Sequence, residues 1–174
     1  MSGPLTNAPR LETERLVLRG PEREDLAALT AFVTTSERMA MLGGNGSARD
    51  AWQSHLKNVG QWHWNGYGLF TLTGKSKPKP LGRVGLLNDP GYEAVEVAWH
   101  LFDGAEGRGY ASEAARAVIG WAQDTLGLGR LVSFIDPANG RSQTVARRLG
   151  AATDGKRADH NPDCEVWTHP ERAA

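Results

Sequence analysis

The run Glu106-Gly107-Arg108-Gly109-Tyr110-Ala111-Ser112-Glu113-Ala114 joins a strand-like segment to a helix-like one. Glycines at such a junction let the backbone turn tightly and let a ligand approach the main chain without meeting a Cβ. The first turn of the following helix leaves N–H groups unpaired, and the helix dipole adds partial positive charge there. Together these features make a site for a pyrophosphate-like anion, to which Arg108 could add a charge-assisted contact. Two other phosphate motifs fit poorly. The G-x-G-x-x-G fingerprint would start at Gly107 and Gly109, but its third glycine falls on Ser112, and no G-K-[ST] of a P-loop follows. A tight strand-to-helix connection with no ligand is the bland alternative.

Other polar residues stand at suggestive places. Residues 93–102 alternate cleanly, with Val95, Val97, Trp99 and Leu101 on one face and Glu96, Ala98, His100 and Phe102 on the other. Asn139 stands where a helix should open, with Ser142 in its first turn. Residues 140–157 hold Arg141, Arg147, Arg148, Lys156 and Arg157 against one acid, Asp154. A phosphate-rich ligand could use that field, as could an ordinary solvated helix face. Trp52, Trp62, His63 and Trp64 could wall a pocket or pack a core. Cys164 is flanked by Asp163 and Glu165, which raise a thiol pKa and argue against a nucleophile.

The elements that must position these residues follow from periodicity. A first strand is expected at Leu16–Leu18, then a helix that could begin at Pro21 and carries Leu26, Leu29, Phe32 and Val33, broken by Gly43-Gly44-Asn45-Gly46. Ser47 with Asp50 caps a second helix carrying Trp52, Leu56 and Val59. Strands at 67–73 and 81–87 flank an exposed connection, Lys75-Ser76-Lys77-Pro78-Lys79-Pro80. After strand 93–102, a helix runs from Gly109 toward Gly127, a strand spans Leu131 to Ile135, a helix runs from Asn139 to Gly150, and a strand pair lies near 151–157 and 163–168. The order β-α-α-β-β-β-α-β-α-β-β predicts a mixed α/β single domain spanning 11–168, with a flexible arm at 1–10 and a tail at 169–174.

The 174 residues suit one domain, and 40% apolar content fills one core. Twenty acids balance twenty bases, so nothing attracts nucleic acid or anionic membrane in general. The one cysteine excludes an internal disulfide and a cysteine-cluster metal site. No metal is expected. No run reaches the ~18–20 apolar residues of a membrane span, and residues 1–9 lack a signal-peptide pattern, so the expected location is the cytoplasm.

The glycine-rich junction resembles that of the GNAT acetyltransferases, Q/R-x-x-G-x-G/A. Gly109 and Ala111 match its fourth and sixth positions, while Glu106 departs at the first. Asn139-Gly-Arg-Ser142-Gln-Thr-Val145-Ala146-Arg-Arg-Leu149-Gly150-Ala151 is similar to N-x-x-S-x-x-V-A-x-x-L-G-F of the ribosomal-protein N-acetyltransferase branch (RimJ/RimL-like). Residues 10–19, Arg-Leu-Glu-Thr-Glu-Arg-Leu-Val-Leu-Arg, look like that branch's first strand. The resemblance runs from about residue 10 to 168.

That resemblance implies a GNAT fold: an α/β (α+β) domain whose mostly antiparallel twisted sheet splays between its fourth and fifth strands, flanked by helices. It implies acetyl-CoA as acyl donor and an amine acceptor, either a protein N-terminus or a small molecule, in a monomer or homodimer. The donor's pyrophosphate would lie on the N–H groups of Gly107, Arg108, Gly109, Tyr110, Ala111 and Ser112. Its pantetheine arm would pair with the backbone near Trp99, His100 and Leu101, with Asn139 and Ser142 in contact. Glu96 is the first candidate for the base that deprotonates the amine, and His100 the second. Many relatives place an acidic Tyr where this chain has Ala146, which leaves Ser142 or water to meet the departing thiolate. A non-catalytic acyl-CoA-binding or regulatory module of the same fold is the competing reading.

Overall fold

The structure, a computed structural model, describes residues 5–171. Its seven strands form one sheet in sequential order: β1 Leu11–Glu12, β2 Leu16–Arg19, β3 Leu69–Gly74, β4 Lys77–Leu87, β5 Val95–Leu101, β6 Leu131–Ile135 and β7 Glu165–Thr168. All neighbours are antiparallel except β5 and β6. Four α-helices flank it: α1 Asp25–Thr35, α2 Ala48–Asn65, α3 Tyr110–Asp124 and α4 Gly140–Arg148. The short β1 shifts the strand count by one, so the splay expected between the fourth and fifth strands lies between β5 and β6.

The main core joins Leu16, Leu18, Phe70, Leu72, Val84, Leu86, Val97 and Leu101 of the sheet to the small-residue stripe Ala111, Ala114, Ala115, Val118 and Ala122 of α3. Small side chains let α3 lie close to the sheet, which holds its N-terminus at the end of β5. On the opposite face α1 buries Leu29, Phe32 and Val33 against Phe102.

Several expectations are corrected. Helix α1 starts at Asp25, not Pro21, because the buried Asp25 carboxylate is held by Arg19 and Thr71. After α1 the chain tightens into a 3-10 helix, Glu37–Leu42, before Gly43. The exposed connection shrinks to Lys75 and Ser76: Lys77-Pro78-Lys79-Pro80 belong to β4, where the register shifts tolerate proline. The strand near 151–157 reduces to single bridges, Ala152 with Thr168 and Arg157 with Glu165. Helix α2 turns its polar side inward. Ala51, His55, Asn58, Gln61 and Trp62 are buried, whereas Trp52, Leu56 and Trp64 are exposed. Asn58 explains this, since its amide donates to the Leu69 carbonyl at 2.9 Å and accepts from the Leu69 N–H at 2.7 Å.

Residues 1–4 of the expected arm lie outside the described residues, but Thr6 is buried and the Leu5 carbonyl meets His63 at 2.9 Å. His169, assigned above to the tail, is 1% exposed.

Candidate functional site

The ladder between β5 and β6 holds only two register pairs, Val95 with Leu131 and Glu96 with Val132. Beyond them the strands part. A parting sheet orphans backbone groups that must find other partners. The Ser133 hydroxyl donates to the Val97 carbonyl at 2.6 Å and lies 2.9 Å from His169 Nε2, which must therefore donate to it. The Phe134 N–H donates instead to the Glu96 carboxylate. Ser133 and His169 thus act as a wedge where the sheet opens. The sequence offered no local signal for them, since they lie 36 residues apart.

Strand alternation turns the main-chain groups of Val97, Trp99 and Leu101 to the open side. Ser133 takes the Val97 carbonyl, and Arg38 from the 3-10 helix donates to the Leu101 carbonyl at 2.5 Å. The main chain of Trp99 faces the gap between them. The main-chain groups of His100, by the same alternation, face β4.

Two cavities meet at this gap. The larger, about 970 Å³, runs along Leu101, Glu106, Gly107, Gly109, Tyr110, Ala111 and Ser112 to Arg141 and Arg148 of α4. The smaller, about 430 Å³, is lined by Tyr92, Glu96, Phe134, Asp136, His160 and Cys164, among others. Trp99, His100, Asn139 and Ser142 border both, beneath Ala40, Met41 and Leu42.

The glycine junction leaves polar groups free at the start of α3. Gly107 and Gly109 have φ of 74° and 78°, the left-handed region that a side chain strains to adopt. Gly109 caps α3 without any side-chain hydrogen bond, so the first-turn N–H groups keep no intrahelical partner. The Ser112 hydroxyl is buried, borders the larger cavity and has no partner among the described residues. A cradle of free N–H groups and an orphan hydroxyl fits the pyrophosphate of a CoA thioester. Glu113 does not face the cavity. It bonds Thr13 Oγ1 at 2.6 Å, the Arg15 N–H at 2.9 Å and Arg15 Nε at 2.7 Å, pinning the turn before β2 to α3. Arg108 lends only its carbonyl, to Arg15 Nη1 at 2.9 Å, and its side chain does not line the cavity. Glu106, the departure from the family pattern, pairs with Arg38 at 3.7 Å.

Of the basic residues at 140–157, only Arg141 and Arg148 reach the larger cavity. Arg147 stacks on Trp167, Lys156 pairs with Glu93, and Arg157 donates to the Asp163 carbonyl. Trp52, Trp62 and Trp64 border neither cavity. Trp62 packs in the core against Phe70 and Trp121.

The titratable groups differ sharply. Burial, aided by Asp89, pushes the Glu96 carboxyl up to about 7, against the opposing hydrogen bonds of the Phe134 N–H and the Tyr92 phenol. Burial, with Arg83 and Arg38, holds His100 down to about 3, so its imidazole is neutral. The Cys164 thiol is raised by burial and by Asp136, Glu96 and Asp163, the reverse of a reactive thiolate. Asn139 Oδ1 accepts from the Ser142 N–H at 3.1 Å, capping α4, and Trp99 Nε1 donates to Ser142 Oγ at 3.3 Å. Ala146 is fully buried against Ile135, Ala151 and Trp167, so packing occupies the place of an acidic Tyr. Among the described residues no group of His, Cys, Asp and Glu could hold a metal ion, and no helix is long and apolar enough to cross a membrane.

Comparison with known proteins places this geometry in context. The family model described as an acetyltransferase (GNAT) domain matches residues 15–152. The crystal structure of an acetyltransferase from Agrobacterium tumefaciens is 32% identical, with a TM-score of 0.89 over 98% of this chain and 99% of that one. The uncharacterized N-acetyltransferase YnaD of Bacillus subtilis is 25% identical over 83% of this chain and 84% of its own length. A ribosomal-protein-S5-alanine acetyltransferase from Vibrio fischeri shares the fold, with a TM-score of 0.72 at 19% identity over 94% and 96% of the two chains.

Proposed function

Because the chain belongs to the GNAT acetyltransferase family, we propose that it transfers an acetyl group from acetyl-CoA to a primary amine by direct attack in a ternary complex. The observation that carries this is the meeting of an anion-cradling cavity and an acid-lined cavity at the parted strands, with Glu96 at the parting point.

Acetyl-CoA supplies an activated thioester carbonyl. The chain's own groups do the rest. The first-turn N–H groups of α3, with Ser112, hold the pyrophosphate, and the main chain of Trp99 and Leu101 guides the pantetheine arm. The incoming amine must lose a proton, and a carboxylate with a pKa of about 7 is matched to receive it, directly or through water, near neutral pH. Tyr92 and the Phe134 N–H hold that carboxylate in place. The Trp99 N–H facing the gap is a donor for developing negative charge on the carbonyl oxygen. Ser142 accepts from Trp99, which leaves its own O–H to donate toward the departing sulfur.

His100 serves less well as base, since a group held down to about 3 takes no proton at neutral pH. The non-catalytic alternative draws on the missing Tyr. Glu96 and Ser142 supply the two groups that reading lacks. The motif at 139–151 supports descent from the ribosomal-protein branch, which we read as lineage and not as acceptor identity. The lone thiol and the need for acetyl-CoA support a cytoplasmic location.

Initial-velocity kinetics with both substrates varied test the route. Intersecting double-reciprocal lines and no acetyl adduct on the intact chain are expected. Parallel lines with an acetylated chain would replace direct attack by a covalent intermediate.

A further inference from the structure

The smaller cavity carries an uneven charge. Three carboxylates line it, Glu96, Asp136 and Asp163, and no lysine or arginine does. One of them has a task in the transfer, since Glu96 receives the proton. The other two have no catalytic work. Asp136 Oδ1 accepts from the Ala138 N–H at 2.8 Å, and neither Asp136 nor Asp163 joins an ion pair among the described residues. Two bases outside the lining act on it, Lys57 on Glu96 and Arg157 on Cys164. Lys57 pairs with Asp89, and Arg157 is bonded to the main-chain carbonyl of Asp163. The larger cavity differs, since Arg38, Arg141 and Arg148 balance Glu37, Asp103 and Glu106 in its lining.

The wall between these carboxylates is aromatic. Tyr92 lies tilted over His160 at 4.2 Å between ring centroids, and Phe134 meets both rings edge-on, at 5.1 and 4.4 Å. Aromatic faces attract cations and accept methylene chains equally well. All three carboxylates also act on the Cys164 thiol at the cavity wall, so their fields overlap there. A neutral-tailed amine would leave two carboxylates uncompensated once its own proton had gone to Glu96. An acid-bearing amine would add a third negative charge beside them.

We propose that this cavity selects a small aliphatic amine with a second positive charge, an α,ω-diamine or its longer homologues, whose distal ammonium is held by Asp136 and Asp163. The assignment rests on the smaller cavity being the acceptor half of an acetyltransferase. Its volume, about 430 Å³, suits a small molecule in the range of ordinary ligand sites. The reacting amine reaches Glu96 while the distal ammonium stays near the mouth, where Asp163 is exposed.

Calorimetric titration of the protein saturated with CoA tests this, with cadaverine, n-pentylamine and the ω-amino acid of the same chain length as probes. Cadaverine should bind about tenfold more tightly than n-pentylamine, the gain expected of two partly exposed ion pairs, and the amino acid should bind most weakly. The double variant Asp136→Asn with Asp163→Asn keeps the oxygen that accepts from Ala138. It should erase the preference of cadaverine over n-pentylamine. Equal affinity for cadaverine and n-pentylamine, a preference that survives in the double variant, or tighter binding of a basic peptide than of cadaverine would overturn the proposal. Free-thiol release from acetyl-CoA with the same probes reads the transfer separately. A charge preference without thiol release supports the selectivity and contradicts the acetyltransferase reading. Thiol release without a charge preference does the opposite.

Discussion

The indole Nε1 of Trp99 donates to the Ser142 hydroxyl at 3.3 Å, tying β5 to α4 across the gap where the sheet has opened. The bond fixes which way the serine can act. With a lone pair occupied by Trp99, its hydroxyl hydrogen is free to point into the cavities that both residues border.

Ser142→Ala should therefore slow turnover. A hydrogen bond to a forming thiolate is worth about 1–3 kcal/mol, which corresponds to a rate loss of roughly 5- to 150-fold. The cap of α4 uses the Ser142 main-chain N–H and survives the substitution, so the melting temperature should fall only by the lost Trp99 bond, about 0.5–1.5 kcal/mol. Single-turnover rate and melting temperature on the same preparation decide the matter. A stability loss with an unchanged rate would reduce Ser142 to a helix-start residue.

Glu96→Gln should lower kcat by ~10²-fold or more, the usual range for a general base, with little change in donor affinity. The wild-type kcat/KM should rise with pH through about 7 as the carboxyl ionises, and the variant should lack that limb. Stability should run the other way. The folded pKa lies above that of an unfolded glutamate, about 4.3, so the stabilising contribution is complete below that value and is lost as pH rises through about 7. Melting curves should show the variant gaining on the wild type as pH rises from about 4.3 to about 7, with a constant difference above that. Parallel stability profiles would mean that Glu96 titrates as an ordinary exposed glutamate.

Ser112→Ala removes a buried hydroxyl that has no partner among the described residues. Folding should be untouched or slightly improved, while affinity for CoA falls by about five- to tenfold, the value of a single hydrogen bond. Calorimetry with CoA reads this, and an unchanged dissociation constant would move the pyrophosphate off the α3 cradle.

Ser133→Ala leaves the Val97 carbonyl buried and unpaired. That should cost about 1–3 kcal/mol, or roughly 2–4 °C of melting temperature per kcal/mol in a chain of this size. Its partner His169 is held down to about 4 by burial, below the ordinary value of about 6.5, so this contribution to stability is lost as pH falls from there through 4. His169→Gln, which can still donate to Ser133, should flatten that loss. An unaltered acid profile in the variant would remove His169 from the wedge.

The parts of the site that were legible in the sequence are those whose signals are local. Gly107 and Gly109 announce a left-handed turn by residue type, Asn139 announces a cap, and strict alternation puts Glu96 and His100 on one face of β5. The misread parts depend on distant partners. Periodicity aimed Trp52 and Leu56 inward, but α2 buries Asn58 and Gln61 instead, because Leu69 and Asp89 satisfy their amides. Nothing near Ser133 or His169 in the chain predicts that they meet. Arg108 was expected to add a charged side chain to the cradle, and that side chain does not line the cavity.

The central claim is tested most directly by measuring free CoA and acetylated amine together in a single turnover at pH 8, for the wild type and Glu96→Gln. The account predicts one acetylated amine for each CoA released by the wild type, and a variant slower by ~10²-fold or more that still binds the donor. A wild-type protein that binds acetyl-CoA yet releases no thiol with any primary amine would contradict it, and would make this fold a CoA-binding module.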